Sequence, residues 1–280
     1  MASSYSGHTL ISLFLNAHPK IADLGDTLYK GDKYANPVMC KCGLEADRCQ
    51  FWMKLAEWSG FDRISKGMEN GWQKKLFRRP ELSRLHKIYT KYNTNLISQA
   101  QLFLEYRDLV NRLCGTDLYV HGKKRTEDLM LLLSAGVKVR LIHTTRHPYR
   151  YVESVIKRGG GDNIGQIAYR WLRTNKEILG ALKHNNVIGY CHVSYEEFCY
   201  EQECVLKKLC RFVGVEYTTE MLNPELQTHH LIGANSIVKG KVKEVRLPDS
   251  NNVALTKNQQ DEIWKVVGSV ATGFGYAYSI

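Results

Sequence analysis

The sequence lacks any apolar run approaching the ~20 residues that a helix needs to cross a bilayer, which argues against an integral membrane protein. Its short apolar patch Leu10–Leu15 follows no Lys or Arg and precedes no clear small-residue cleavage site, unlike a signal peptide. Eight cysteines among 280 residues are too few for a disulfide scaffold. We therefore predict a cytoplasmic protein whose cysteines are reduced.

The chain also lacks the Gly-x-x-x-x-Gly-Lys-Ser/Thr run that holds nucleoside triphosphates, and it has no internal repeat or low-complexity tract. Apolar residues make up 44% of the sequence and charged residues 24%, which excludes a disordered chain. The formal net charge of +11 predicts an anionic partner, whether nucleic acid, a phosphorylated cofactor, an acidic substrate or a membrane surface. Charge alone does not choose among these partners.

Short apolar strands alternate with amphipathic helices in the second half of the chain, which is typical of an α/β fold with a mostly parallel sheet. The predicted strands are 118–121, 137–145 and 187–193, and the predicted helices are 127–134, 148–158, 164–184 and 201–213. Thr256 and Gln259 have capping-box spacing and predict a final helix. Helical spacing without strand signal in 61–114 predicts one domain, 1–280, with a helical insertion at about 61–115.

The first candidate anion site is the small-residue loop Ser6-Gly7-His8-Thr9, which runs directly into an apolar helix. The first N–H groups of a helix and its partial positive charge attract anions. Gly7 lets the backbone approach a phosphate, and Ser6 and Thr9 add hydroxyl donors. An ordinary helix N-cap is the alternative, since Ser and Thr favour that position.

The second candidate anion site joins Arg146 to Ser154, eight residues later. Arg146 stands where the strand 137–145 ends, and Ser154 lies about two turns into the helix that Pro148 begins. Ligands of open α/β sheets bind at the carboxyl ends of strands, where an arginine grips phosphate in bidentate fashion. A surface salt bridge is the alternative. Together the two sites indicate a ligand with two separated phosphates, such as a 3′,5′-bisphosphorylated nucleotide.

Several segments occur in an order that resembles one known family. They are Ser6–Leu10 with Leu15–Pro19, Cys40–Trp52, Ile142–Pro148 with Ser154, Val193–Phe198, Leu209–Val215 and His230–Gly240. The family is that of the PAPS-dependent sulfotransferases, especially its bacterial and tyrosylprotein branches, and the resemblance covers most of the chain. It implies a P-loop-type three-layer fold around a mostly parallel central sheet.

The resemblance also implies transfer of a sulfuryl group from PAPS (3′-phosphoadenosine 5′-phosphosulfate) to a hydroxyl or amine of a small-molecule acceptor, leaving PAP. The loop Ser6–Leu10 corresponds to the 5′-phosphosulfate site, Arg146 and Ser154 to the 3′-phosphate site, and Tyr195 to the adenine contact. The residues that it implies for the cofactor are Ser6, Gly7, His8, Thr9, Leu10, Arg146, Ser154, Tyr195, Lys239 and Gly240.

The chain departs from the family pattern at three places. Tyr5 stands where the family has a Lys or Arg that neutralises the leaving group, so that charge falls to Lys123 or Lys124, or to His8. Val238 replaces a common Arg, which shifts a 3′-phosphate contact to Lys239 or Lys241. Only five residues precede Ser6, fewer than a usual central strand, so that strand is either truncated or very short.

The attacking group of the acceptor needs a base to take its proton. A Glu follows a Gly after the first helix in the tyrosylprotein and bacterial branches, and Gly25-Asp26 stands nearly at that place. The resemblance therefore implies Asp26 as the base and His121 as the second candidate. A plain turn at Asp26 is the alternative.

Cys40, Cys42 and Cys49 supply three soft ligands, whereas a structural zinc site needs four. No nearby Cys or His completes the set, so we predict a reduced structural loop and no metal. We predict a small-molecule acceptor, handled by 61–114, and neither nucleic acid nor a membrane as a partner. A nucleotide kinase of related architecture, a basic nucleic-acid-binding protein and a catalytically dead PAP-binding relic remain as alternatives.

Overall fold

We describe the fold from a computed structural model over residues 1–2, 5–25, 38–60, 71–122, 124–227, 230–232, 245 and 255–279. The helices are α1 (His8–Leu15), α2 (Gln50–Ala56), α3 (Gly71–Phe77), α4 (Ser83–Lys91), α5 (Thr94–Cys114), α6 (Thr126–Ser134), α7 (Pro148–Lys157), α8 (Ile164–Ala181), α9 (Tyr195–Tyr200), α10 (Gln202–Val213) and α11 (Lys257–Ala271). The strands are β1 (Ile21–Asp23), β2 (Leu118–Val120), β3 (Val139–Thr145) and β4 (Val187–Ser194).

The strands pair in parallel. β1 lies beside β2, with Asp23 opposite Val120, and β3 lies beside β4, with Thr145 opposite Ser194. Ala2 forms a parallel bridge with Thr144, so the amino-terminal residues extend the second pair by a single position. The α/β class with parallel pairing is confirmed. The described strands form two separate pairs, however, so the single three-layer sheet stays a prediction.

Apolar helix faces cover the strands. α11 begins at the predicted capping box, in which the Thr256 amide donates to Gln259 Oε1 (2.8 Å) and the Gln259 amide donates to Thr256 Oγ1 (3.4 Å). Ile263 and Val267 on this helix are buried in a core cluster that includes Trp171 of α8. No helix among the described residues is long and apolar enough to cross a membrane.

Both strand pairs contribute to the wall of a cavity of about 410 Å³. Leu118–His121 lines it from the β2 side and Val139–Ile142 from the β3 side. Because parallel strands direct their carboxyl ends to one edge, the residues that follow all four strands are the ones available to a ligand. Strand β1, which the sequence analysis missed, therefore adds Asp23 to that edge.

Candidate functional site

Arg146 and Tyr195 leave the β3–β4 pair side by side, because the preceding residues Thr145 and Ser194 are opposite each other in the register. The Arg146 Cζ lies 4.5 Å from the centroid of the Tyr195 ring. The side chain is only 9% exposed, and its Nη1 donates to the Tyr5 carbonyl (3.3 Å). Its Nε has no hydrogen-bond partner among the described residues. A buried guanidinium with an unused donor is costly unless an anion completes it.

Gly7 brings the first loop against the same ring. Its φ of 76° is left-handed, and a Cβ at this position would lie 2.1 Å from Cδ2 of Tyr195. Only glycine fits both the backbone and the space. The structure thus places Tyr5, Gly7, Arg146 and Tyr195 in one contiguous group, which joins the two segments that the sequence analysis singled out as anion sites.

Helix α1 begins directly after Gly7, so the amides of His8 and Thr9 precede its first intrahelical hydrogen bond. The Leu10 amide, by contrast, donates to the Gly7 carbonyl (3.0 Å), and the Leu10 side chain is buried in the core. Ser6 is fully buried and Thr9 half-buried. Among the loop residues predicted to bind the cofactor, Leu10 is therefore a packing residue by its surroundings.

Tyr5 adopts a left-handed φ of 68°, which is uncommon for a residue other than glycine. Its ring lies 5.4 Å from the Cζ of Arg158, a residue that follows α7. Ser154 lies half-buried on the same helix, one turn before Arg158. Arg158 is thus a cation beside the first loop that the sequence analysis missed. Its position four residues after Ser154, on the same predicted helix 148–158, is the signal by which it could have been found.

A partly buried hydrogen-bond network supports the turn at Arg146. Thr145 Oγ1 is 2.8 Å from both His192 Nε2 and Tyr276 Oη, and Tyr276 donates to Glu196 Oε2 (3.2 Å). Glu196 Oε1 also accepts from the His147 amide (3.0 Å). Burial raises the pKa of Glu196, and these hydrogen bonds oppose the shift. The network ties β3, β4 and the carboxyl-terminal residues together behind the guanidinium.

A second group of polar side chains lines the cavity between the strand pairs. His8, Asp23 and His121 all contribute to its wall. Asp23 is fully buried, and its Oδ1 accepts from the Gly25 amide (2.8 Å). The His8 ring is hydrogen-bonded through Nε2 to the Gly122 carbonyl. The carboxyl ends of β1 and β2 are therefore held together around a carboxylate and two imidazoles.

Of the predicted site residues, His121 and Lys124 lie just after β2, and others fall outside the described residues. The His121 ring packs edge-on against Phe103 (4.5 Å between centroids), and its Nδ1 is 3.5 Å from Tyr119 Oη. Lys124 is half-buried and lies near the Met1 amino group, whose pKa burial lowers to about 5, with Asp23 opposing and Lys124 adding to the shift. The predicted site residues outside the described part of the chain are Asp26, Lys239 and Gly240.

The expectation that no Cys or His completes the cysteine set is wrong. His230 lies beside Cys40, Cys42 and Cys49, with the four possible ligand atoms within 4.8 Å of one another. The sequence analysis had assigned His230 only to the carboxyl-terminal loop. Asp23 was missed as well, although the apolar pair Ile21-Ala22 ending in an acid is a weak strand signal.

Comparison with known proteins gives a fold but no close relative. No family model matches the sequence, and no curated protein matches it. Two solved structures share the fold: a sulfotransferase domain from the curacin biosynthetic pathway (17% identity, TM-score 0.52, 99% of this chain and 96% of that chain) and a sulfotransferase domain from the Synechococcus PCC 7002 olefin synthase (19% identity, TM-score 0.54, 99% and 93%). The chain therefore has the fold of sulfotransferase domains.

Proposed function

We propose that this protein is a sulfotransferase that moves a sulfuryl group from PAPS to a hydroxyl or amine of a small molecule. The observation that carries the proposal is the buried Arg146 guanidinium, which lies at the Gly7 loop with its Nε unused among the described residues. The shared fold with sulfotransferase domains supports the same reaction class. The net charge of +11 also favours an anionic donor.

The residues around the loop fit a doubly phosphorylated adenosine. Arg146, with Ser154 and Lys239, would hold the 3′-phosphate, and the loop Ser6–Thr9 with Gly240 the 5′ end. The fit rests on the Arg146 Nε, which has no hydrogen-bond partner among the described residues, and on the contact of Arg146 with the loop through the Tyr5 carbonyl. When bound, PAPS supplies the sulfuryl group and leaves as PAP.

The protein's own task at the 5′ end is to balance negative charge. The first amides of α1 and the helix dipole favour an anion there. Arg158, stacked near the Tyr5 ring, adds a cation where the sequence lacks one at position 5. His8 and Lys124 were also predicted for this charge. The His8 ring is hydrogen-bonded to the Gly122 carbonyl just after β2, and Lys124 lies two residues further along the chain. We assign the charge balance to these groups jointly.

The base that takes the acceptor's proton is proposed to be Asp26, with His121 as the second candidate. Asp23 is a positioning residue, because its carboxylate accepts from the Gly25 amide one residue before Asp26. The cavity of about 410 Å³ beside Asp23 and His121 is the size of a small-molecule site. The two structural neighbours come from the curacin biosynthetic pathway and from an olefin synthase, which favours a biosynthetic metabolite as the proposed acceptor.

Calorimetric titration of the protein with PAP tests the donor site. We expect Arg146→Ala to weaken PAP binding by about 1.5–3 kcal/mol, the range for a charge-assisted contact. Arg211→Ala is the matched control, because Arg211 is an exposed arginine on α10 that does not line the cavity. It should bind PAP as the unmodified protein does.

The same titration separates the alternatives. ATP binding stronger than PAP binding would indicate a kinase, and salt-sensitive binding of an oligonucleotide without PAP binding would indicate a nucleic-acid-binding protein. Equal PAP affinity of Arg146→Ala and unmodified protein would remove the donor site from this loop. Turnover of labelled PAPS with a panel of hydroxyl and amine acceptors distinguishes an enzyme from a PAP-binding relic.

A further inference from the structure

Three thiols and one imidazole converge on a point away from the proposed donor site. Cys42 Sγ is 3.7 Å from Cys49 Sγ, and His230 Nδ1 is 3.3 Å from Cys49 Sγ and 3.8 Å from Cys40 Sγ. All four atoms lie within 4.8 Å of one another. Cys40 and Cys49 are buried, and Cys42 and His230 are half-buried.

We propose that Cys40, Cys42, Cys49 and His230 bind one structural Zn²⁺ ion. Zinc–sulfur bonds of about 2.3 Å and zinc–nitrogen bonds of about 2.0–2.1 Å place tetrahedral ligand atoms about 3.8 Å apart for sulfur pairs and about 3.6 Å apart for sulfur with nitrogen. The distances from 3.3 to 3.8 Å fall around these values. Thiolate and imidazole are the ligands that zinc prefers in such sites.

Backbone hydrogen bonds form a tight turn at Cys40 and Cys42, the two ligands that are close in sequence. The Gly43 amide donates to the Cys40 carbonyl (3.0 Å), and the Cys40 amide donates to the Leu44 carbonyl (2.8 Å). Gly43 takes a φ of 91°, which the tight return of this turn requires. The turn directs the sulfurs of Cys40 and Cys42 to one side, as a metal-binding turn does, although a single residue separates the cysteines.

His230, the ligand that is far away in sequence, is positioned by backbone pairing and by ring stacking. Cys40 forms an antiparallel bridge with Ile232, and the Lys41 amide donates to the Leu231 carbonyl (2.8 Å). The His230 ring stacks on Phe51, with centroids 4.6 Å apart and planes 3° from parallel. This stacking fixes the ring with Nδ1 toward the sulfurs, so Nδ1 is the proposed ligand atom.

A disulfide would use these cysteines differently. A disulfide needs a sulfur–sulfur distance of about 2.05 Å, whereas Cys42 and Cys49 are 3.7 Å apart, and pairing any two would leave a third thiol beside the imidazole. No disulfide joins any of the eight cysteines, all of which lie in the described part of the chain. Four ligands from a single chain fill a tetrahedral shell, so the ion has no open position for chemistry.

The ion would connect parts of the chain that are far apart in sequence. Cys40 and Cys49 belong to a core cluster with Leu24, Trp52 and Ile232. A Cβ at Gly25 would lie 3.3 Å from the Leu231 side chain. The metal would therefore hold 230–232 against the end of β1 and the turn that leads to Asp26, independently of whether the protein transfers sulfuryl groups.

Elemental analysis of the reduced, full-length protein tests the proposal. We expect about one zinc ion per chain, retained on dialysis against EDTA. His230→Ala and Cys42→Ser should lose most of that zinc under the same dialysis, and their thermal unfolding midpoints should fall. Cys204→Ser is the matched control, because Cys204 is an exposed cysteine on α10, and its zinc content should not change.

Two further measurements need no destabilised variant. Titration of the unmodified protein with an organomercurial should release the zinc to a chromophoric chelator as thiols react. His230→Cys should retain the ion with four thiolates, and cobalt in place of zinc should give the absorption bands of a tetrahedral thiolate site. Less than about 0.1 zinc per chain, iron in place of zinc, or a disulfide among these cysteines in the non-reduced protein would overturn the proposal.

Discussion

The carboxyl ends of the two strand pairs are built in contrasting ways. Behind the β3–β4 pair, the turn at Arg146 is fixed by a partly buried network through Glu196 and Tyr276 and by the Trp171 indole, which donates to the Arg146 carbonyl (3.0 Å). The β1–β2 pair has only three residues in each strand, and Asp23 and Val120 at its carboxyl end line the cavity of about 410 Å³, which residues along β3 also line. The carboxyl end of the β3–β4 pair is therefore cross-linked by hydrogen bonds around a charged side chain, whereas the carboxyl end of the β1–β2 pair consists of short strands beside a cavity.

This difference matches the two demands of a group-transfer enzyme. A donor that is the same in every cycle is best bound by groups that are fixed before it arrives, since fixed donors lose no reorganisation energy. An acceptor that varies from protein to protein needs a wall whose shape depends on neighbouring helices. We therefore expect prearranged hydrogen bonds at the proposed donor end, beside Arg146, and variable cavity walls at the proposed acceptor end, beside Asp23.

Removal of the proposed base should produce the largest effect, at the proposed acceptor end. Asp26→Asn should slow sulfuryl transfer about 10²–10⁴-fold and leave PAP affinity unchanged. Asp23→Asn keeps an oxygen that can accept a hydrogen bond from the Gly25 amide, so this variant should lose far less of the transfer rate. Initial rates with labelled PAPS measure both. A greater loss in His121→Asn than in Asp26→Asn would move the base to the histidine.

Gly7→Ala should produce the next largest effect, at the donor end. A Cβ would strike the Tyr195 ring, and the left-handed φ costs about 1–2 kcal/mol, so we expect PAP affinity to fall about 10–100-fold. Gly115→Ala is the control, since its φ of 67° is similar and no described atom lies within 4 Å of its Cβ. Calorimetry should find normal PAP affinity in the control. Equal losses in both variants would mean that backbone strain alone is responsible.

The free energy of unfolding should depend on pH through His143, a residue of β3. Burial lowers its pKa from 6.5 to about 3, and its Nε2–H donates to Asn175 Oδ1 (2.8 Å). As the pH falls, the unfolded chain protonates His143 near pH 6.5, whereas the folded chain does so only near pH 3. The contribution of the neutral imidazole to the free energy of unfolding is therefore complete above pH 6.5 and decreases toward pH 3, by about 1.4 kcal/mol per pH unit. Urea unfolding of His143→Gln should show lower stability at neutral pH and a shallower slope. An unchanged slope would contradict the prediction.

Tyr195→Leu should have the smallest effect. Loss of the cation–π contact with Arg146 is worth about 0.5–1 kcal/mol, which corresponds to about a 2–5-fold weaker affinity for PAP. Tyr200→Leu, at an exposed tyrosine on the same helix α9, is the control and should not change the affinity. A loss well above fivefold would mean that the Tyr195 ring also contacts the adenine, as the family resemblance implies.

The donor end was largely predictable from sequence, and the acceptor end was not. The run 137–145 is long, apolar and bounded by glycine and proline, so its strand and the place of Arg146 follow from local rules. Strand β1 has three residues, too few for any periodicity, and its pairing with β2 depends on contacts about a hundred residues away. Asp23 was missed for that reason.

His230 shows the same limit more sharply. It is separated from Cys49 by 181 positions, and no spacing rule for metal ligands reaches that far. The cysteines could be identified from the sequence. The bridge between Cys40 and Ile232, which brings the His230 imidazole next to them, could not. Arg158 is an intermediate case, since its helix was predicted while its contact with Tyr5 was not.

The Arg146 Nε, which has no hydrogen-bond partner in the described part of the chain, has a consequence for the lifetime of the protein. Any ligand that satisfies this donor binds the folded chain and not the unfolded one, so it shifts the folding equilibrium by mass action. A nucleotide present at a hundred times its dissociation constant adds about 2.7 kcal/mol of resistance to unfolding. If the proposed donor is that ligand, a cell depleted of the nucleotide would degrade this protein faster, and the abundance of the protein would follow the supply of the nucleotide.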